Sequence, residues 1–239
     1  METLASFQRL YGIYISFCNM IEWSPDANST VGLPASLTAL RLRYTNLTAV
    51  PTVLAVVPPN LVYLRLESMP ISTIPNIYFK AWANISSISL NDINLTQIPD
   101  ALANSSTLEW LERKGNSITS VPLDWQPRLD LLQTVDLSGN ALEEGPWHLA
   151  KTGLVLDLSS NPIATVPSVV DIDLLKKRYV ILDDSPYCSA SPPVIQEACK
   201  PKCAHLCETA RIGDANCDWP CYVEACQFDG GDCDSYGLS

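Results

Sequence analysis

The chain has 239 residues, 47% of them apolar and 17% charged, with a formal net charge of −11 and nine cysteines. This is too hydrophobic for a disordered chain and long enough for one sizeable core or two unequal domains. An excess of 26 acidic over 15 basic residues removes the attraction on which non-specific binding to nucleic acid or an anionic lipid surface depends, leaving proteins, cations or neutral ligands as partners.

In chain order, the first apolar stretch is Leu10 to Ile21. It lacks a basic leader: Glu2 precedes it, Arg9 abuts it, and Glu22-Trp23-Ser24-Pro25 is a poor cleavage site. It reads as part of the fold rather than as a signal peptide. No apolar run reaches the roughly 18 residues that a membrane-spanning helix needs.

From Leu37 the pattern LxxLxLxxNxLxxVP recurs. One copy holds Leu37, Leu40, Leu42, Leu47, Val50 and Pro51, and further copies begin at Leu61, Ile85, Leu108, Leu132 and Gly153. The offsets are 24, 24, 23, 24 and 21 residues. Weaker copies flank these six, with Leu10, Ile13, Ile15 and Cys18 in front and Val180, Leu182 and Ser185 behind. Each LxxLxL segment alternates over too few residues for an amphipathic helix and predicts a short strand. One repeat cannot bury its own leucines, so the strands stack in parallel, and the Asn at each turn bonds backbone groups of the neighbouring coil. Arg113 stands in a Leu slot, and Thr45, Met69 and Ile93 replace the turn Asn, so a broken ladder is expected in those coils.

These residues resemble the leucine-rich-repeat family of the extracellular, roughly 24-residue kind. The resemblance implies an α/β-type right-handed solenoid of about eight repeats over residues 1–187, with a parallel sheet on its concave face.

Six cysteines then fall between Cys203 and Cys233 with the spacing C-x3-C-x9-C-x3-C-x4-C-x6-C, ending in Gln227-Phe228-Asp229-Gly230-Gly231-Asp232-Cys233. Six cysteines allow 15 connectivities, and Cys199 competes for the first place. Asp214, Asp218, Asp229 and Asp232 crowd 19 residues, an arrangement of hard oxygens that suits calcium, while no CxxC pair favours zinc. Spacing and the DGGD tetrapeptide resemble a Notch-type Lin repeat, with Phe228 where Trp is usual and Tyr222 where Asn is usual. The resemblance implies a small disulfide-rich calcium-binding module over residues 200–239, paired Cys203 to Cys226, Cys207 to Cys221 and Cys217 to Cys233. It also implies Ca2+ held by Asp214, Asp218, Asp229 and Asp232 with the Asn216 carbonyl.

Cys188 and Cys199 bracket residues 188–199 and are expected to close a C-terminal cap, whereas Cys18 reads as a buried free thiol. Sequons at Asn28, Asn46, Asn84, Asn94 and Asn104 suggest glycosylation. Neither His148 nor His205 belongs to a nucleophilic constellation, and GxSxG, P-loop, GxGxxG and HExxH motifs are missing, so no enzyme is expected. Clustered disulfides place the chain outside the cell or at its surface. The solenoid starts almost at Met1 without a visible cap, which suggests a piece of a longer, membrane-anchored ectodomain.

The outward column of the strands runs Tyr14, Arg41, Arg65, Ser89, Glu112, Asp136, Asp157, Ile181 and changes sign along the solenoid. Arg43 and Tyr63 reinforce its basic, aromatic end, and Trp110 sits between the two ends. Arg and aromatic side chains are common hot-spot residues. The expected function is recognition of a protein or peptide across Tyr14, Arg41, Arg43, Tyr63, Arg65, Trp110, Glu112 and Asp136. The alternative is a regulatory protein whose calcium module makes the key contact while the repeats act as a spacer.

Overall fold

The computed structural model describes residues 7–23, 32–190, 195, 198–200, 203–204, 207 and 211–236. Among these, eight strands form one sheet in chain order: β1 Gly12–Cys18, β2 Ala39–Thr45, β3 Tyr63–Glu67, β4 Ser87–Asn91, β5 Trp110–Glu112, β6 Thr134–Asp136, β7 Val155–Asp157 and β8 Val180–Ile181. Every pairing is parallel, and the register aligns Leu40, Leu64, Ile88, Leu111, Val135, Leu156 and Val180. The sequence repeat is therefore a strand register, and the two weak flanking copies supply β1 and β8. Each return leads to the next parallel strand, a connection that is almost always right-handed.

The Val-Pro and Ile-Pro ends of the repeats explain the opposite side. Pro51, Pro75, Pro99 and Pro146 each stand at the N-cap of a short helical turn, at φ between −54° and −76°. Proline fixes φ near this value and lacks an N–H, so it starts such turns without loss. Three of these turns are 3-10 segments, Thr52–Ala55, Asp100–Asn104 and Trp147–Leu149, and one is the α-helix α1, Asn76–Ala81. α1 drives Tyr78, Phe79 and Trp82 into the interior, where Trp82 Nε1 donates to the Leu54 carbonyl at 3.0 Å. Two short helices close the series, α2 Ile172–Lys176 and α3 Pro186–Ala190.

The inward leucines make one continuous core from Trp23 to Cys188. Its turn ladder is confined to the later repeats. The Asn116 side chain accepts from the Ile93 and Leu95 amides and donates to the Leu90 and Arg113 carbonyls, and Asn140 and Asn161 repeat the arrangement one and two coils on. Where Thr45, Met69 and Ile93 replace Asn, the slot is buried without a ladder, and the Thr45 hydroxyl has no hydrogen-bond partner among the described residues. The residue before this slot has positive φ in all eight repeats: Phe17, Tyr44, Ser68, Asp92, Gly115, Gly139, Ser160 and Asp184. Only two are glycine, so the stacked coils hold six side-chain-bearing residues in a conformation that costs roughly 1–2 kcal/mol each.

The C-terminal module has almost no apolar interior. Buried Cys207, Cys221 and Cys226 are its core, with Ile212 and Ala204 against them. Disulfides join Cys203 to Cys226, Cys207 to Cys221 and Cys217 to Cys233, and Cys188 to Cys199 fastens the solenoid's end. Cys18 is free but half-buried rather than fully buried.

Candidate interaction face and metal loop

Alternation along β2 sends Leu40 and Leu42 inward and Arg41 and Arg43 onto the sheet face. Position i+2 on the neighbouring strand is Glu67, an acid in a column of bases. It is only 3% exposed, and guanidinium groups of Arg41, Arg43 and Arg65 lie 3.8, 3.6 and 3.5 Å from its oxygens. Ser89 and Asn91 donate to the same carboxylate. Burial pushes the Glu67 carboxyl up, but Arg65, Arg43, Arg211 and Arg41 outweigh it and hold its pKa below the ordinary glutamate value. The sequence reading missed Glu67 and Asn91. The signal was the last outward column, Arg43, Glu67, Asn91, Lys114, which is as regular as the central one.

These charges are buried because the chain's own C-terminal module sits on them. Arg41 Nη1 donates to Asn216 Oδ1 at 2.6 Å, and Arg43 Nη2 donates to Asp218 Oδ1 at 3.0 Å. The Trp219 amide donates to the Tyr44 hydroxyl at 3.0 Å. Phe17 stacks on Tyr44 at 4.4 Å and meets Tyr236 at 4.6 Å. From the module side, Arg211 reaches Asp218 at 3.4 Å and Glu112 at 3.8 Å. Of the expected partner-binding residues, Arg41, Arg43 and Glu112 therefore contact the module. Arg65 bridges Glu67 and Glu112, and Asp136 is buried with its Oδ1 accepting the Ser138 amide. Tyr14 is 65% exposed and Trp110 36%.

Beside the contact, a groove of about 620 Å³ opens between sheet and module. Tyr14, Arg41, Arg43, Tyr63 and Arg65 line one wall, and Asp214, Asn216 and Tyr236 line the other. Five of the eight residues picked from the sequence converge there.

The expected metal ligands lie in one tight fold of the module. Gln227 to Gly231 all have positive φ, so the chain coils back on itself through DGG. Gly230 cannot carry a side chain, because a Cβ there would lie 2.8 Å from the Gly213 amide nitrogen. That close approach brings Asp229 beside the 214–218 segment. Asp229 is fully buried; its Oδ2 accepts the Asp218 amide, and its Oδ1 has no hydrogen-bond partner among the described residues. Burial raises its pKa to about 6, with repulsion from Asp218, Asp232 and Asp214 adding to the effect and the bond from the Asp218 amide opposing it. Asp214 Oδ1 accepts the Asn216 amide and Asp232 Oδ2 the Ala215 amide. An orphaned, buried carboxylate oxygen among three further acids is a donor set that fits a hard cation.

Residues 197–234 match the Notch LNR domain family. Over 79 residues the chain is 34% identical to receptor-like protein 7 of Arabidopsis thaliana, covering 33% of this chain and 8% of that protein. It is 26% identical over 158 residues to rat osteomodulin, covering 62% of this chain and 36% of the relative. The chain is a leucine-rich-repeat protein with a C-terminal Notch LNR domain. The fold agrees with a solved structure of the Drosophila Toll–Spatzle complex at a TM-score of 0.57 and 23% identity, covering 76% of this chain and 25% of that one. The chain thus spans a minor part of each of these proteins.

Asn46, Asn84, Asn94 and Asn104 of the sequons are all exposed, and Asn28 lies outside the described residues. His148 Nε2 lies 3.2 Å from the Trp125 carbonyl, and His205 lies outside the described residues. No described helix is long and apolar enough to cross a membrane.

Proposed function

We propose that this protein is an extracellular or cell-surface recognition module that binds a protein or peptide on the concave sheet face, with its calcium-held LNR domain as one wall of the site. The observation that carries this reading is the groove in which Tyr14, Arg41, Tyr63 and Arg65 face Asp214, Asn216 and Tyr236. Large aromatic and guanidinium groups supply contact area and orientation there, and the basic column favours the acidic part of a ligand. Four disulfides suit an oxidising compartment. The relationship to a fold that holds Spatzle in the Toll complex is consistent with protein recognition.

Calcium would be held by Asp214, Asp218, Asp229 and Asp232 with the Asn216 carbonyl. When bound it supplies positive charge to a loop that otherwise carries four acids and one unpaired oxygen.

A second reading, in which the LNR domain makes the key contact, draws support from its exposed aromatic cluster. Trp219 stacks on Tyr222 at 5.3 Å and Tyr222 meets Phe228 at 5.5 Å, with Trp219 and Phe228 each about half exposed.

An array of acidic peptides probed with the full chain separates the two. The groove reading expects salt-dependent binding whose association rate falls at least about tenfold in Arg65→Glu and is unchanged in Lys176→Glu on the opposite side. Loss in Trp219→Ala with Arg65→Glu unaffected would transfer the site to the LNR domain, and equal effects of Arg65→Glu and Lys176→Glu would reject a groove site.

A further inference from the structure

Two residues of the expected calcium loop are gripped from outside. Arg41 and Arg43 are i and i+2 on β2, and their partners Asn216 and Asp218 are i and i+2 on the loop. The strand's two-residue period therefore matches alternate residues of the metal segment. The grip and the loop's inner bonds use different atoms. Among the described residues, the carboxylates of Asp214, Asp229 and Asp232 accept from groups of the module itself, the amides of Asn216, Asp218 and Ala215 and the Asn216 side-chain Nδ2, and the Cys233 sulfur lies 3.7 Å from Asp229 Oδ2. The solenoid takes Asn216 Oδ1 and one oxygen of Asp218.

From this two-point contact we infer that Arg41 and Arg43 are positioning residues for the calcium loop, so that docking on the sheet and calcium binding reinforce each other. This rests on the calcium reading above. The physical reason is preorganisation. Crowded acids repel, and a loop with no external hold relieves that repulsion by opening, which a cation must then reverse. Hydrogen-bonded partners behind metal ligands act in this way, and removing them typically weakens affinity about 10–100-fold. The grip adds little direct repulsion of its own, because Glu67, Glu112 and Asp218 lie among Arg41, Arg43, Arg65 and Arg211 and offset most of their charge. Linkage then requires the reverse effect: calcium tightens docking by the same factor.

The test is calorimetric titration of the full chain with calcium chloride, alongside hydrogen exchange of the 214–218 amides. Arg41→Gln with Arg43→Gln should weaken calcium binding at least about tenfold and speed exchange in that segment. Arg43→Lys should restore part of the affinity. Tyr44→Phe, which keeps every charge and deletes only the hydroxyl that accepts from the Trp219 amide and from Arg43 Nη2, should cost about threefold. It guards against a double variant that fails to fold around Glu67. The exposed Arg128→Gln serves as the control and should match the unaltered chain. If the unaltered chain binds calcium while the double variant and Tyr44→Phe bind equally well or more tightly, the positioning role is overturned and the calcium reading stands. If the unaltered chain takes up no calcium, both fall.

Discussion

Replacing Arg113 with leucine should raise the stability of this protein. Arg113 occupies the slot filled by Leu42, Leu66, Leu90, Leu137, Leu158 and Leu182, all of them at most 2% exposed. It is itself fully buried, and none of its three guanidinium nitrogens has a hydrogen-bond partner among the described residues. Burial lowers its pKa to about 9, the response of a charge taken out of water without compensation. Its guanidinium carbon lies 5.9 Å from the Phe79 ring centroid, a cation–π contact worth about 2 kcal/mol when desolvated, which offsets only part of the cost. Exchange of buried charges for well-packed apolar residues typically stabilises by up to about 4 kcal/mol. We expect a gain of at least about 2 kcal/mol, or roughly 4–8 °C in Tm for a chain of this size. Thermal unfolding followed by circular dichroism measures it, and a lowered Tm for Arg113→Leu would show that the guanidinium is compensated within the core.

The second large effect concerns calcium. At a dissociation constant of about 10⁻⁴ M, as in the tighter extracellular modules, calcium in hundredfold excess would stabilise the domain by about 2.7 kcal/mol. Three disulfides and a few buried atoms offer little else to hold the DGGD fold. Adding EDTA should therefore lower the unfolding temperature of the LNR domain, and Asp229→Ala should abolish that response by deleting the buried, unpaired oxygen. Differential scanning calorimetry with and without calcium checks both. An unfolding profile that ignores EDTA would mean that no calcium is held.

The solenoid was legible because stacked strands admit one solution for residues of period two. Leu40, Leu64 and Ile88 have to lie inward and adjacent, so even the worn copies around Ile13 and Val180 revealed their strands. The LNR domain was legible because cysteine spacing and DGGD are tied to a backbone that only glycine allows, as the 2.8 Å approach at Gly230 makes plain. Left-handed residues such as Tyr44 and Asp92 could not be read, since stacking overrides a local preference for glycine. Nor could the seat of the LNR domain. Arg41 and Arg43 were visible as a basic strand and Asp218 as an acid, but 175 positions of chain separate them, and which surfaces meet depends on how the cap turns the chain back. Asp136 was chosen by its column, but it is buried, its Oδ1 accepting from the Ser138 amide, rather than presented.

The central claim, that the LNR domain sits on the basic strands of its own solenoid, is tested most directly by a double-mutant cycle between Arg43 and Asp218. Arg43→Gln, Asp218→Asn and the double variant are unfolded by denaturant in EDTA, so that no metal contributes. A seated domain predicts a coupling of about 1–3 kcal/mol between these two residues. Effects that add to within about 0.5 kcal/mol would contradict it.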